Sequence, residues 1–419
     1  MSHAVKMLEA LHNQEMELAE KEFHLALEKE KNEELFSLAI ELQRLGFLSE
    51  AKQTFEKLLL DLNYQDEARI QLAEILVEDD LYDEAFALLD EIQENSEQYI
   101  ARLLVEGDIY QILELSEVSL AKLHRAKELA PDESIIRLAL AELLFSLGEY
   151  KKAAKEYATL DPIEIKELTS ISIYERIGTA YSLLGRLEQA LPFLEKALEE
   201  DRDNEELLYK IGLDAFLMKD YETSIRHLER LRAISEEFEN YQLILAKALL
   251  EEERTNEAFE VLVESLRLNP YQAEVYQLAS AISYQKGEVN QAEDYLLQAI
   301  TLDDLRDENL YRLMNLYLEE NRLQDVLRAF EEIEFQEHAL ANWTVAKTYR
   351  KLEEDEKAES YFETARLELL GDAEFLKDYA LYLRDNGKLS RAEEFLQQAM
   401  EEFPEDIEIH QLADEIKEW

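Results

Sequence analysis

Residues 134–160 read SIIRLALAELLFSLGEYKKAAKEYATL, and their spacing describes a helix, a turn and a second helix. Ile136, Leu140, Leu143 and Leu147 recur at three- and four-residue intervals, which places an apolar face on the first helix. Gly148 can take the positive backbone angle that ends it. Ala153, Tyr157 and Leu160 then form the inner face of a second helix running back along the first. A hairpin of this size cannot cover its apolar faces alone, so it has to stack on others of its kind.

Such others are present throughout the chain. Ala19, Ala51, Ala85, Ser119, Ala153, Ala190, Ser224, Ala258, Ala292, Val326, Ala358 and Ala392 are separated by 32, 34, 34, 34, 37, 34, 34, 34, 34, 32 and 34 residues. A fixed period of this length denotes an array of stacked units instead of one central core. Twelve units start near residues 1, 32, 66, 100, 134, 171, 205, 239, 273, 307, 339 and 373.

The punctuation follows the same register. Gly46, Gly148, Gly185, Gly287 and Gly387 fall in the turn within a unit, whereas Gly107, Gly178 and Gly212 fall where its two helices pass closest. Pro131, Pro270 and Pro404 share the position where a unit ends and the helix cannot continue. Val326 is the one bulky residue at the small position, and its packing is expected to be looser. The 37-residue gap places extra residues at 161–170. A break there would divide the chain into sub-arrays 1–165 and 166–419, with 161–170 as a hinge. Residues 405–419 read as one more amphipathic helix, with Ile407, Ile409, Leu412, Ile416 and Trp419, closing the last apolar face.

Composition narrows the function. Ninety-six acidic and 44 basic residues give a formal charge of −52, which repels phosphate backbones and anionic bilayers, so no nucleic acid and no membrane surface is expected as a partner. With no cysteine, disulfides and thiolate chemistry are excluded. No run of about 18 apolar residues is present, which argues against membrane insertion. The opening residues lack the apolar stretch of a secretion signal, and the expected location is cytoplasmic.

The repeats resemble the tetratricopeptide repeat, whose period and pattern of Gly, Tyr, Ala, Phe or Leu, Ala and Pro they share. One unit supplies Gly107, Tyr110, Ser119, Leu123, Ala126 and Pro131; another Gly178, Tyr181, Ala190, Leu194 and Ala197; a third Ala380, Gly387, Ala392, Leu396, Ala399 and Pro404. The resemblance implies an all-α fold, a right-handed α-solenoid of about twelve helix-turn-helix repeats with a C-terminal capping helix. The long, acidic, repeat-only form resembles proteins of Gram-positive bacteria. Such a resemblance implies a scaffold or adaptor in complex assembly or regulated proteolysis, or else a cytosolic receptor for a short signalling peptide.

Residues suited to catalysis do not assemble into any known local pattern. The seven histidines show no metal-binding spacing, and Asp201-Arg-Asp-Asn-Glu-Glu206 lacks the glycine and distal glutamate of a calcium loop. No nucleophile elbow or phosphate-binding glycine loop occurs. Neither an enzymatic activity nor a metal or cofactor is expected.

In the resembled family the first helices line a concave groove that holds peptides or helices. Positions 4, 7, 8 and 11 of each unit share one side of the helix and carry the regular apolar residues. Positions 2, 5, 9, 12 and 13 are free to vary. In units two to five these include Glu33, Glu67, Glu74, Glu78, Asp108 and Glu142, an acidic stretch. Later units place Tyr209, Phe216, Lys247, Tyr284, Tyr311, Asn315, Trp343, Lys347, Arg350, Lys377 and Arg384 on this face. Aromatic and basic side chains together suit a protein or peptide ligand with apolar anchors and acidic groups. The competing reading pairs these cations with local carboxylates such as Glu353 and Glu354. The clamp that some co-chaperones use for acidic C-terminal tails is matched by Asn315 but not by Thr344 or Lys377.

Overall fold

The computed structural model describes residues 2–235, 238, 240–302, 305–335 and 338–417, and among these there are twenty-six helices and no strand. Twenty-two of the helices pair into eleven hairpins. The other four are Pro162–Thr169, the two helices of the seventh repeat, and Ile407–Lys417. The chain forms two compact units, Met1–Met218 and Lys219–Trp419, divided within the seventh repeat between its first helix, Glu205–Leu217, and its second, Tyr221–Ile234.

The periodic small residues are what let each hairpin close. All twelve are at most 2% exposed, Val326 included. Ser119 adds a hydrogen bond, its Oγ donating to Gly107 O at 2.8 Å. Glycine on the opposing helix tightens the approach further in repeat six, where a Cβ on Gly178 would lie 2.7 Å from the Leu194 side chain and 3.1 Å from its backbone nitrogen. At Gly107 the corresponding contact is an ordinary 3.4 Å to Leu123.

Every repeat turns through one left-handed residue. Glycine occupies it in the five expected repeats, and in the other seven it is Gln14, Asp80, Glu114, Lys219, Glu253, Asn321 or Glu353, with φ between 56° and 63°. The turn hydrogen bonds impose this angle; after Glu253, for example, the Arg254 N–H reaches back to Leu249 O at 2.8 Å. A side chain in this conformation costs about 1 kcal/mol or more.

The three extra residues near 161–170 lengthen the second half of repeat five into two short helices. Tyr150–Tyr157 packs directly on Ile173–Leu183, the first helix of repeat six. Asp161 caps Pro162–Thr169 by accepting from Ile163 N and Glu164 N, and Pro162 sits at the start, where its missing N–H is harmless. Ile165 is buried, whereas Ile163 and Leu168 face solvent.

Two side chains depart from the sequence reading. Leu147 is 40% exposed because its helix stops at Ser146; Leu144 takes its place in the core. Ile407 is exposed at the first position of the capping helix, and Ile409, Leu412, Ala413 and Ile416 cover the last hairpin instead. Trp419, expected in the same helix, lies outside the described residues. No helix among the described residues is long and apolar enough to cross a membrane.

Ion pairs join repeats one period apart: Lys127–Glu156 at 2.6 Å, Lys166–Glu200 at 2.8 Å, Arg176–Glu142 at 2.9 Å, Arg391–Glu359 at 2.9 Å, and Arg232–Glu264.

Gly178→Ala is expected to destabilise the chain by about 1–3 kcal/mol, because neither Leu194 nor its backbone can move aside freely. Gly107→Ala is expected to be near neutral; equal effects in urea unfolding would refute the close-approach argument. Glu253→Gly and Glu353→Gly relieve a strained angle and are each expected to stabilise by up to about 1 kcal/mol. A fall in melting temperature would show that these turns gain more from their side chains than they lose.

Candidate partner-binding surface

In the second unit, first helices of successive repeats are joined side by side through polar pairs. Gln277 Nε2 donates to Asn309 Oδ1 at 2.7 Å, Thr344 Oγ1 to Asn315 Oδ1 at 3.0 Å, and Trp343 Nε1 to Asp378 Oδ2 at 2.9 Å. These contacts run from repeat nine to repeat twelve. They position the variable side chains of the free positions on one continuous face.

Between Ala273–Gln285 and Arg306–Glu319 that face opens into a cleft of about 340 Å³. Ala281, Leu296 and Leu316 supply its apolar wall, and Tyr284 and Tyr311 stand on either side. Gln277, Ser280, Glu308, Arg312, Asn315 and Glu319 complete the lining. Three of the residues expected from sequence, Tyr284, Tyr311 and Asn315, therefore meet in one place. The Tyr311 ring packs against His338 at 5.6 Å between centroids. Burial, and then the Glu320 carboxylate, raise the Tyr284 phenol above its ordinary pKa. Arg312 is held by Glu308 at 3.0 Å, and Ser280 Oγ donates to Ala292 O.

One repeat further along, Trp343 and Lys347 form a unit of their own. The Trp343 ring packs edge-on against Phe375, so it is partly a core residue. Lys347 Nζ lies 4.2 Å from the centre of the indole. Burial holds the Lys347 ammonium below the ordinary lysine pKa, against the opposing pull of Asp378 and Glu319.

The remaining cations are paired internally. Lys247 meets Glu274 at 2.5 Å; Arg350 meets Asp385 at 2.5 Å and Asp378 at 3.6 Å. Lys377 is held by Glu374 at 2.5 Å and Glu408 at 2.7 Å, and Arg384 by Asp385 at 2.9 Å and Glu415 at 3.8 Å. Most of these partners come from the next repeat, not from the neighbouring Glu353 and Glu354. Glu354 instead pairs with Lys357. Tyr209 and Phe216 are half-buried on Glu205–Leu217, which belongs to the first unit, whereas the nine other residues belong to the second.

The acidic stretch of the first unit is only partly free. Glu142 is taken by Arg176 at 2.9 Å and by the Tyr157 hydroxyl at 2.7 Å, and Glu67 accepts from Gln98 at 3.3 Å. Glu74 keeps a raised carboxyl pKa through burial and the nearby Asp108 and Glu78. Among the described residues no group of three or more His, Asp or Glu could hold a metal ion.

Comparison with known proteins gives the lineage. Residues 111–165 match the description "YpiA-like, tetratricopeptide repeats", 340–406 match "YpiA-like, C-terminal tetratricopeptide repeats", and 171–204 and 273–304 match the general tetratricopeptide repeat. The TPR repeat-containing protein YpiA of Bacillus subtilis (strain 168) is 30% identical over 331 residues, 78% of either chain. The chain belongs to the YpiA-like tetratricopeptide repeat family. Members of the wider repeat class mediate protein–protein interactions. The human protein O-mannosyl-transferase TMTC1 is 25% identical over 223 residues, 52% of this chain but 21% of its own length. Among solved structures, the Cut9–Hcn1 assembly of the APC/C aligns over 98% of this chain and 95% of its own, with 14% identity and a TM-score of 0.43. The TPR protein YrrB aligns over 48% of this chain and 97% of its own, with 21% identity and a TM-score of 0.38.

The depressed Lys347 sets a pH test. Between its folded and unfolded pKa values the unfolded chain binds more protons, so stability rises with pH through the window just below the ordinary lysine pKa. Below that window the desolvation of the ammonium is a net cost to the fold. Lys347→Met, which keeps the stem over the indole, is expected to leave the melting temperature at pH 7 unchanged or higher. A clear fall would mean that the ammonium stabilises the fold.

Proposed function

We propose that this chain is a non-catalytic adaptor that holds a partner protein along the first-helix face of its second unit. An extended or helical segment of the partner lies across repeats nine to eleven and seats an apolar side chain between Tyr284 and Tyr311. The observation that carries this reading is the cleft itself, an apolar recess at positions that packing within the array leaves free to vary. Asn315 Nδ2 and the Tyr311 hydroxyl have no partner among the described residues, which suits them to the backbone of a bound segment. Ser280, the one hydroxyl nucleophile of the lining, is committed to a backbone carbonyl, which supports binding over catalysis. A cytoplasmic location fits a chain without cysteine.

Ala281 is exposed at the cleft, so Ala281→Trp would fill the recess without disturbing the core. Affinity purification with the full-length chain is expected to recover a partner that Ala281→Trp loses by at least about tenfold, equivalent to about 1.4 kcal/mol. Equal recovery by both forms would put the binding surface elsewhere.

A further inference from the structure

The groove carries five candidate cations, and four of them already have carboxylates within 4.0 Å. Lys347 differs. Among the described residues its ammonium has neither an ion pair nor a hydrogen bond; it rests on the π face of Trp343. The nearest charges do not complete it. Asp378 is engaged by the indole N–H at 2.9 Å and by Arg350 at 3.6 Å. Glu319, Asp372 and Lys351 act on Lys347 only through space, and Lys351 itself donates to Leu318 O at 3.3 Å. A half-buried ammonium has three donors to satisfy, and a π face satisfies none of them as a hydrogen bond would. Thr344, one residue after Trp343, bonds to Asn315 of the cleft, so this cation and the apolar recess lie along the same path.

Resting on the adaptor reading above, we propose that Lys347 is the anion-recognising group of the groove: it takes the side-chain carboxylate of an aspartate or glutamate in the bound segment, on the Trp343 side of the residue whose apolar side chain fills the cleft. A single negative charge matches a single unpaired cation. Asp378 and Glu319 oppose any incoming anion in proportion to its charge, so a doubly charged phosphate meets twice the repulsion of a carboxylate, and among the described residues beside Lys347 no unpaired arginine stands ready to grip it in two places. The indole orients the ammonium before binding, which lowers the ordering cost of forming the pair. Local acidity then acts as a filter, since an anion is welcome at Lys347 and disfavoured along most of the surrounding surface.

The test is selection of peptides from a random twelve-residue display library on the immobilised full-length chain, followed by fluorescence anisotropy of the selected sequences. The expected winners combine a large apolar residue with Asp or Glu at a constant spacing. Changing that acid to its amide, or Lys347→Met in the protein, should each weaken binding by about 10- to 100-fold, the value of a charged hydrogen bond. Combining the two should weaken it no further than either alone. Peptides that are lost with Ala281→Trp yet indifferent to Lys347→Met would overturn the carboxylate assignment and leave the groove reading standing. Peptides indifferent to both variants would remove the groove reading itself. Tighter binding on replacing the selected acid by phosphoserine would overturn the preference for a single charge.

Discussion

The close approach of two helices inside each hairpin is the constraint on which the molecule is built. A small residue about every 34 positions lets the second helix settle against the first, and all twelve of these residues are buried. Large side chains then fill the seams between hairpins. Phe362, Phe375, Tyr379, Tyr382 and Phe395 do so in the last repeats, in a stack of rings about 5–6 Å apart. Positions that neither close a hairpin nor fill a seam are released for other work, and these lie along the first-helix face.

Much of this was legible in the sequence because it depends on rhythm. The hairpin boundaries, the glycine turns, the proline stops and the capping helix all follow from spacing. What escaped has a physical reason in each case. Nothing in the intrinsic preferences of glutamate or lysine places Glu253, Glu353 or Lys219 in a left-handed turn; the two flanking helices force the angle. Leu147 continues the apolar spacing but stands one residue past the helix end, where the chain has already turned outward.

The candidate surface was legible in part. Tyr284, Tyr311 and Asn315 share a cleft because positions 5, 9 and 12 of adjoining first helices converge, which the helical wheel anticipates. Ala281 and Glu319 occupy the same free positions but carry no sequence signal, one because it is small and the other because carboxylates are everywhere in this chain. The cations were harder to read. Sequence neighbours account for only part of the charge pairing here, since stacking also brings a residue against those about one period away: Arg350 reaches Asp385, and Lys377 reaches Glu408 as well as Glu374. Only with these partners assigned does the different state of Lys347 become visible.

The ion pairs between repeats have a further consequence for how this array could have changed over time. Consensus repeats can be shuffled, duplicated or excised because every junction is alike. Here Lys127 is matched to Glu156, Lys166 to Glu200 and Arg391 to Glu359, each at its own place on the junction. Excising one hairpin would part such a pair and leave its two charges without the partners they have here, a cost of up to about 1 kcal/mol per junction that weighs against recombination within the array.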